Sequence, residues 1–172
     1  DATARALTSR TYTTLPDYWA ENHGMVHPNY TSSGVRSLMS VGCMHRLWGR
    51  DLPPELSWNR RRVYENLKAL TDGAGYAQAV QGMDWHYLPT VGSETAHAIA
   101  SVFFKDPDAA ALQRRALRNG ELRQDGNGGA MYDREFAKKA HDQQDPMIMR
   151  EVTISSVAAL YLFHRLMGPG AR

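Results

Sequence analysis

Cysteine is nearly absent from this chain, with Cys43 the single example in 172 residues. An intrachain disulfide and a zinc site built from cysteines are therefore excluded. Long apolar runs are absent as well, since no stretch approaches about eighteen apolar residues and no basic-then-apolar leader opens the chain. The sequence accordingly predicts neither a membrane span nor a signal peptide, and no membrane partner is expected.

The chain also lacks a strong excess of positive or negative residues. The chain has 20 lysines and arginines and 18 aspartates and glutamates, so its net charge is +2 and nucleic acid is not an expected partner. Basic residues nevertheless cluster in two places, at residues 60–62 and at Arg114 and Arg115, with Arg118 and Arg123 following. Each cluster is interpreted first as a solvated helix face, and the alternative is a surface that steers an acidic polymer.

What is present is an ordinary globular composition, with 42% apolar and 22% charged residues, which excludes a disordered or collagen-like chain. A chain of this length buries roughly 70% of its unfolded surface, so residues 1–172 are expected to form a single domain. Apolar residues recur at helical spacing, and no hairpin signal is recognised. The predicted fold class is all-α, with helix hairpins packed side by side.

The boundaries of the predicted helices follow from caps, prolines and glycines. Asp106 is the expected N-cap of one helix, with Pro107 at its first position. Gly168 and Pro169 end the last helix, and the glycine-rich stretch 119–132 is predicted to be a loop. The helices are expected at residues 1–9, 31–48, 54–70, 93–104, 107–118, 133–141 and 146–167.

Polar and aromatic side chains are concentrated between Trp19 and Tyr30, just ahead of the second predicted helix. Gly24 and Pro28 are expected to break any regular element there. A loop of this kind places an amide, two imidazoles and a carboxylate where they can converge on a ligand. The same stretch is equally well interpreted as a polar loop whose side chains cap helices. A second cluster about sixty residues later favours a site, and it consists of Gly82, Met83, Asp84, Trp85, His86 and Tyr87.

The residue types in the two clusters suit the removal of a proton beside a carboxylate. Elimination at C5 of a uronic acid develops a second negative charge next to an existing one. The enzyme must therefore bind the carboxylate, supply a base and protonate the leaving oxygen. Asn22 can donate an amide hydrogen bond to the carboxylate. His23 can share its charge or act as the base, and the phenol of Tyr87 can transfer a proton.

Asn22, His23 and Gly24, followed about sixty residues later by His86 and Tyr87, resemble the catalytic arrangement of alginate lyases and heparinase II/III-like polysaccharide lyases. The resemblance implies an incomplete (α/α) toroid of helix pairs and cleavage of uronic-acid polymers by β-elimination. It also implies that Asn22 and His23 engage the substrate carboxylate and that Tyr87 transfers a proton. The residues expected to bind substrate around these three are Trp19, His27, Tyr30, Trp85 and His86.

The resemblance covers about the first hundred residues. A full toroid joined to β-sheet domains needs far more than 172 residues, so the chain is expected to be part of a larger protein or to act with a β-sheet domain. The implied partner is an acidic polysaccharide, and the implied location is secreted or periplasmic. No cofactor and no metal are expected.

Three other functions are compatible with the sequence. Glu21 and Asp84 are candidates for the acid and base of an inverting glycoside hydrolase, whose carboxyl groups stand about 6.5–9.5 Å apart. A non-catalytic domain would bind an acidic glycan or a protein through its arginine clusters, whereas arginines 60–62 directed into the cleft of the first cluster would favour an enzyme. His23 and His27 have the i, i+4 spacing of a zinc-binding pair, but no third ligand is identifiable.

Overall fold

The computed structural model describes residues 14–81, 93–130 and 146–171, and the side chains of the last range from residue 156. Within these ranges the chain is mostly helical with one small sheet, which confirms the all-α class. None of the helices there is long and apolar enough to cross a membrane. The elements are the strands β1 (Glu21–Asn22) and β2 (Met25–Val26), and the helices α1 (Pro28–Leu47), α2 (Arg60–Ala69), α3 (Ser93–Ile99), α4 (Pro107–Gly126) and α5 (Pro146–Met167).

The two strands form an antiparallel hairpin, so the expectation that the chain has no hairpin was wrong. The turn between the strands consists of His23 and Gly24, whose φ angles are 53° and 80°. Positive φ at both central residues is the geometry of hairpin turns whose twist matches that of their strands, and Asn-Gly or Asp-Gly is the usual sequence. A His-Gly turn between strands of two residues each therefore gave no recognisable signal.

Helix α1 begins at Pro28, earlier than the predicted residue 31. Pro28 occupies the first helical position, where a backbone N–H would have no acceptor within the helix. The proline therefore starts the helix instead of breaking the segment. Thr31 lies in the first turn, and its hydroxyl donates a hydrogen bond of 3.0 Å to the carbonyl of His27.

The third of the predicted helices is divided into two pieces. Pro54–Leu56 forms a short 3-10 helix, and Asn59, with a φ of 60°, separates it from α2. Asparagine adopts this left-handed conformation more readily than most residues other than glycine. Helix α2 then buries Val63, Tyr64 and Leu67 and packs against α1.

Helices α1 and α3 form the centre of the fold. Helix α1 contacts α2, α3 and α5, and α3 contacts α1, α4 and α5. All residues of α3 are buried, as expected for a helix that is covered on every side. The predicted helix does continue to residue 104, but Ala100–Phe104 is π-helical. Gly42 of α1 makes room for Phe103, because a Cβ at residue 42 would lie 2.7 Å from Cζ of that ring.

Helix α4 begins as predicted and ends later than predicted. Asp106 is its N-cap and accepts hydrogen bonds from the N–H groups of Asp108 and Ala109, with Pro107 at the first position. The helix continues to Gly126, so the expectation of a loop was wrong for residues 119–126.

Two tertiary features accompany the extra turns of α4. The Asn119 side-chain amide donates a hydrogen bond of 3.3 Å to the carbonyl of Ala74, and Gly120 is buried. Helix α5 has the predicted bounds, Pro146–Met167. The helices predicted at residues 1–9 and 133–141 lie outside the described residues.

Candidate functional site

The hairpin presents the two residues that were predicted to bind a carboxylate. Asn22 ends β1, and His23 is the exposed first residue of the turn. The N–H of Gly24 donates a hydrogen bond of 2.5 Å to Oε1 of Glu21. This contact closes the turn, and it gives Glu21 a role within the hairpin itself.

The amide nitrogen of Asn22 is the most informative atom of the hairpin. Nδ2 is shielded from solvent and has no hydrogen-bond acceptor in the part of the chain that the structure describes. A shielded donor without an acceptor costs about 1–3 kcal/mol. Such a group is a suitable donor for a ligand carboxylate or hydroxyl that would complete its hydrogen bonding.

His27 and Tyr30 lie directly behind the hairpin. His27 is completely buried at the N-cap of α1, and its N–H donates a hydrogen bond of 2.9 Å to the carbonyl of Ala20. The rings of His27 and Tyr30 meet edge to face, with centroids 4.8 Å apart. His23 and His27 therefore lie in a turn and at a helix start, and not on successive turns of one helix. Trp19, just before the hairpin, is partly buried.

The segments on either side of residues 82–92 are anchored in the described structure. Oε1 of Gln81 accepts a hydrogen bond of 2.7 Å from the N–H of Val26 in β2. At the other end, Oγ of Ser93 accepts a 3.3 Å hydrogen bond from the N–H of Ala77. The chain thus leaves the hairpin at Gln81 and returns to the core at Ser93. The second predicted cluster lies between these anchors, outside the described residues, and includes Asp84, Trp85, His86 and Tyr87.

The partly buried Arg36 of α1 and the buried Glu94 of α3 interact electrostatically, and this relationship was not predicted. Glu94, at the start of α3, is 7% exposed. Burial lowers the pKa of Arg36 below its ordinary value, and the charge of Glu94 opposes this shift. Nη2 of Arg36 donates to Oγ of Ser33 at 2.7 Å and to Oδ1 of Asn29 at 3.3 Å. No sequence pattern identifies this pair, because its members are brought together by helix packing.

The arginines at residues 60–62 are engaged elsewhere. Arg60 donates to the carbonyl of Gly34 and to Oγ of Ser37, the latter at 2.6 Å. Arg61 forms an exposed ion pair with a glutamate one turn later in α2. Arg62 lies over the ring of Tyr18, 5.1 Å from its centroid. The contacts of Arg60 and Arg62 hold α2 against α1 and against the chain before the hairpin, whereas that of Arg61 lies within α2. The cluster therefore gives no support to a cationic cleft around Asn22.

Three further histidines lie in the helices, and each makes contacts within the protein. His97 is completely buried and bonded on both ring nitrogens, to the hydroxyl of Tyr64 at 2.9 Å and to the carbonyl of Gly75 at 3.0 Å. Nδ1 of His45 lies 3.0 Å from the carbonyl of Asp51. His164 contacts Gln113 and Gly168. Their described contacts are structural, and His97 belongs to the core.

Comparison of the chain with family models, with curated proteins and with solved structures gives no match. The described part of the site offers an unsatisfied amide donor, an exposed imidazole on a constrained turn, and the buried His27 ring packed against the partly buried Tyr30 ring. Within the described ranges, no group of three histidine, cysteine or acidic side chains is arranged to hold a metal ion.

Proposed function

We propose that this chain is the helical part of a polysaccharide lyase that cleaves uronic-acid polymers by β-elimination. The observation that carries the proposal is the amide nitrogen of Asn22, a shielded donor without an acceptor in the described residues. In this proposal Asn22 and His23 bind the uronate carboxylate, and Tyr87 transfers a proton. In the proposal the carboxylate of a bound uronate accepts the hydrogen bond for which this amide has no partner among the described residues.

The chemistry of elimination gives a reason for an amide N–H that has no acceptor before substrate binds. Charge develops next to the uronate carboxylate as the C5 proton leaves, and donors that are already oriented stabilise that charge without reorganisation. The strand pairing fixes the backbone of Asn22, and a turn with positive φ at both residues fixes the backbone of His23. In the proposal this backbone geometry holds the two side chains in place before substrate binds.

The surroundings of the hairpin support the same function. Gln81 holds β2 at the point where the chain enters residues 82–92, which contain Trp85, His86 and Tyr87. The proposal places Tyr87 near the hairpin for proton transfer and assigns the neighbouring residues to substrate binding. Those neighbours are Trp19, Tyr30, Trp85 and His86, whereas His27 is completely buried and packs against Tyr30 from inside the protein.

The packing of the helices is compatible with the proposed (α/α) toroid. Helix α1 packs against α2, and α3 packs against α4, so the described helices are arranged as consecutive pairs. In the proposal these pairs form part of a larger toroid that a β-sheet domain completes. The substrate is then an acidic polysaccharide, and the compartment is secreted or periplasmic.

Absorbance at about 235 nm tests the elimination directly, because β-elimination leaves a conjugated alkene on the new sugar end. The chain is incubated with a panel of uronic-acid polysaccharides beside Asn22→Asp, His23→Ala and Tyr87→Phe. Asn22→Asp keeps the size of the side chain and replaces the donor with an anion that repels the carboxylate. We expect a rise with the wild type that each substitution lowers by at least about a hundredfold.

His45→Ala is the matched control, since it removes a partly exposed imidazole from the far end of α1. It should leave the absorbance change intact. No rise on any polymer contradicts the proposal. New reducing ends without absorbance would instead indicate hydrolysis, for which Glu21 and Asp84 are the candidates.

A further inference from the structure

One exposed face of α4 has two adjoining depressions beside the C-terminal end of α2. The first has a volume of about 430 Å³ and is lined by Arg114, Arg115 and Arg118, among others. The second has a volume of about 310 Å³ and is lined by Lys68, Asp108 and again Arg115. Because Arg115 lines both, they form one continuous surface feature, which we call the α4 groove.

The positive charge of the groove is only partly neutralised by the protein. Lys68 contacts Asp106 at 2.7 Å and Asp108 at 3.2 Å, and Arg118 forms an ion pair of 3.1 Å with a glutamate one turn later.

Arg114 and Arg115 are exposed. Across residues 14–81, 93–130 and the described part of α5, neither of them forms an ion pair. The uncompensated charge of the groove is therefore concentrated on these two adjacent guanidinium groups.

We infer that the α4 groove binds an acidic polysaccharide, with the carboxylate or sulfate groups of the polymer at Arg114 and Arg115. Guanidinium groups pair with planar or tetrahedral oxyanions through two parallel hydrogen bonds. From Asp108 to Asn119 the lined part of the helix is about 16 Å long, so several successive anionic groups of one polymer fit along it. The choice of a glycan rests on the proposed function.

The lining of the groove also argues against single-stranded nucleic acid. Proteins that bind single strands combine basic residues with aromatic side chains on which bases stack. The residues lining both depressions include no aromatic side chain. The groove is lined by residues of α2 and α4, whereas Asn22 and His23 lie on the hairpin, so the groove is a binding surface separate from those two residues.

Fluorescence anisotropy of an end-labelled oligogalacturonate tests this inference with the complete chain. Arg114→Ala/Arg115→Ala is compared with the control Arg61→Ala/Arg165→Ala, which removes the same charge from exposed positions on α2 and α5. We expect the first variant to bind at least about tenfold more weakly. The slope of the logarithm of its affinity against the logarithm of the salt concentration should correspond to the release of about one to two fewer ions. The control should change affinity less than about twofold.

Equal weakening by the two double variants would overturn the inference, because binding would then follow net charge alone. Absence of binding by the wild type would overturn it as well. A duplex or single-stranded DNA that displaces the oligosaccharide more effectively than unlabelled polygalacturonate would identify the groove as a nucleic-acid site and overturn the glycan assignment.

The proposal for the groove and the proposal for the lyase site can be contradicted separately. His23→Ala should keep the anisotropy signal while losing the absorbance change, since groove binding requires no elimination. Arg114→Ala/Arg115→Ala should keep the absorbance change on short oligosaccharides. Loss of anisotropy binding in His23→Ala together with normal binding by the arginine variant would assign the binding to the hairpin and overturn the inference.

Discussion

The N–H of Val26 donates a hydrogen bond of 2.7 Å to Oε1 of Gln81, 55 residues further along the chain. This contact joins the hairpin that carries Asn22 and His23 to the residue that immediately precedes the second predicted cluster. It involves an exposed donor and a flexible side chain, so it adds little to global stability. Its effect is to position the hairpin relative to the chain that follows Gln81.

Replacement of Gln81 by alanine should therefore loosen the hairpin without unfolding the protein. We expect the free energy of unfolding to fall by about 1 kcal/mol or less, while the Val26 amide exchanges with solvent at least about tenfold faster. Hydrogen exchange followed by NMR resolves that amide. Gln78→Ala is the control, since Gln78 contacts Asp72 and the carbonyl of Tyr76, and it should leave exchange at Val26 unchanged. An unchanged Val26 rate in Gln81→Ala would show that the contact does not hold the hairpin.

Gly75 should not tolerate any side chain. Its φ is 91°, and a Cβ would lie 2.5 Å from the carbonyl oxygen of Leu112 and 2.9 Å from the nitrogen of Ala116. Because both clashing atoms are backbone, relief requires α4 to move. We expect Gly75→Ala to lower the free energy of unfolding by at least about 2–3 kcal/mol.

Two other glycines distinguish the effect of the positive φ from the effect of the clash with α4. Gly24 also has a positive φ but faces open space, so Gly24→Ala should cost only about 1 kcal/mol. Gly73 has neither constraint, and Gly73→Ala should be close to neutral. Urea unfolding of the three variants measures the differences, and a loss at Gly75 no larger than that at Gly24 would argue against the predicted clash.

Asp106 should contribute to stability both as a helix cap and as an ion-pair partner. It is 5% exposed, caps α4 and contacts Lys68 at 2.7 Å. Asp106→Ala removes both interactions and should cost about 2–3 kcal/mol, whereas Asp106→Asn keeps a capping oxygen and should cost about 1 kcal/mol. Asp108, whose side chain is 70% exposed, is the control, and Asp108→Ala should change stability by less than about 0.5 kcal/mol. Chemical denaturation gives these values, and equal losses for Ala and Asn at residue 106 would exclude a contribution from capping.

The parts of the fold that the sequence predicts are those with local signals. The start of α4 follows from an Asp-Pro pair, and α5 follows from a proline, a broad apolar face and a terminal glycine. The hairpin was missed because its turn is His-Gly and its strands are short. The last turns of α4 were missed because a glycine and an asparagine favour a loop locally, while Asn119 contacts Ala74 in the folded chain.

The candidate site likewise has a part that the sequence predicts and a part that it does not. Asn22, His23, His27 and Tyr30 are close in sequence, so their proximity follows from the chain itself. Interactions that depend on packing give no sequence signal. Examples are the hydrogen bond between Gln81 and β2 and the electrostatic interaction of Arg36 with Glu94. The state of the Asn22 amide likewise depends on what surrounds it in the folded chain, and only the structure reveals that it has no acceptor among the described residues.

The buried contact between Tyr64 and His97 predicts how stability depends on pH. The Gly75 carbonyl can only accept, so Nε2 of His97 carries the proton and Nδ1 accepts from the Tyr64 hydroxyl. Burial lowers the pKa of His97 to about 4, although the Gly75 carbonyl and the charge of Asp106 oppose that shift. Between about pH 4 and pH 6.5 the unfolded chain therefore binds a proton at this histidine that the folded chain does not.

The sign follows from that difference. Stability contributed by neutral His97 is complete above about pH 6.5 and is lost as the pH falls towards 4, with a slope of about 1.4 kcal/mol per pH unit. We expect the wild type to lose about 2 kcal/mol between pH 7.5 and pH 5 through this group, measured by urea unfolding across the range. His97→Gln, which cannot titrate, should lack that part of the loss. Tyr64→Phe should show a smaller loss, because removing the hydroxyl takes a hydrogen bond from the neutral ring. If His97→Gln retains the full slope of the wild type, the acid sensitivity arises from other groups and the assignment to His97 is wrong.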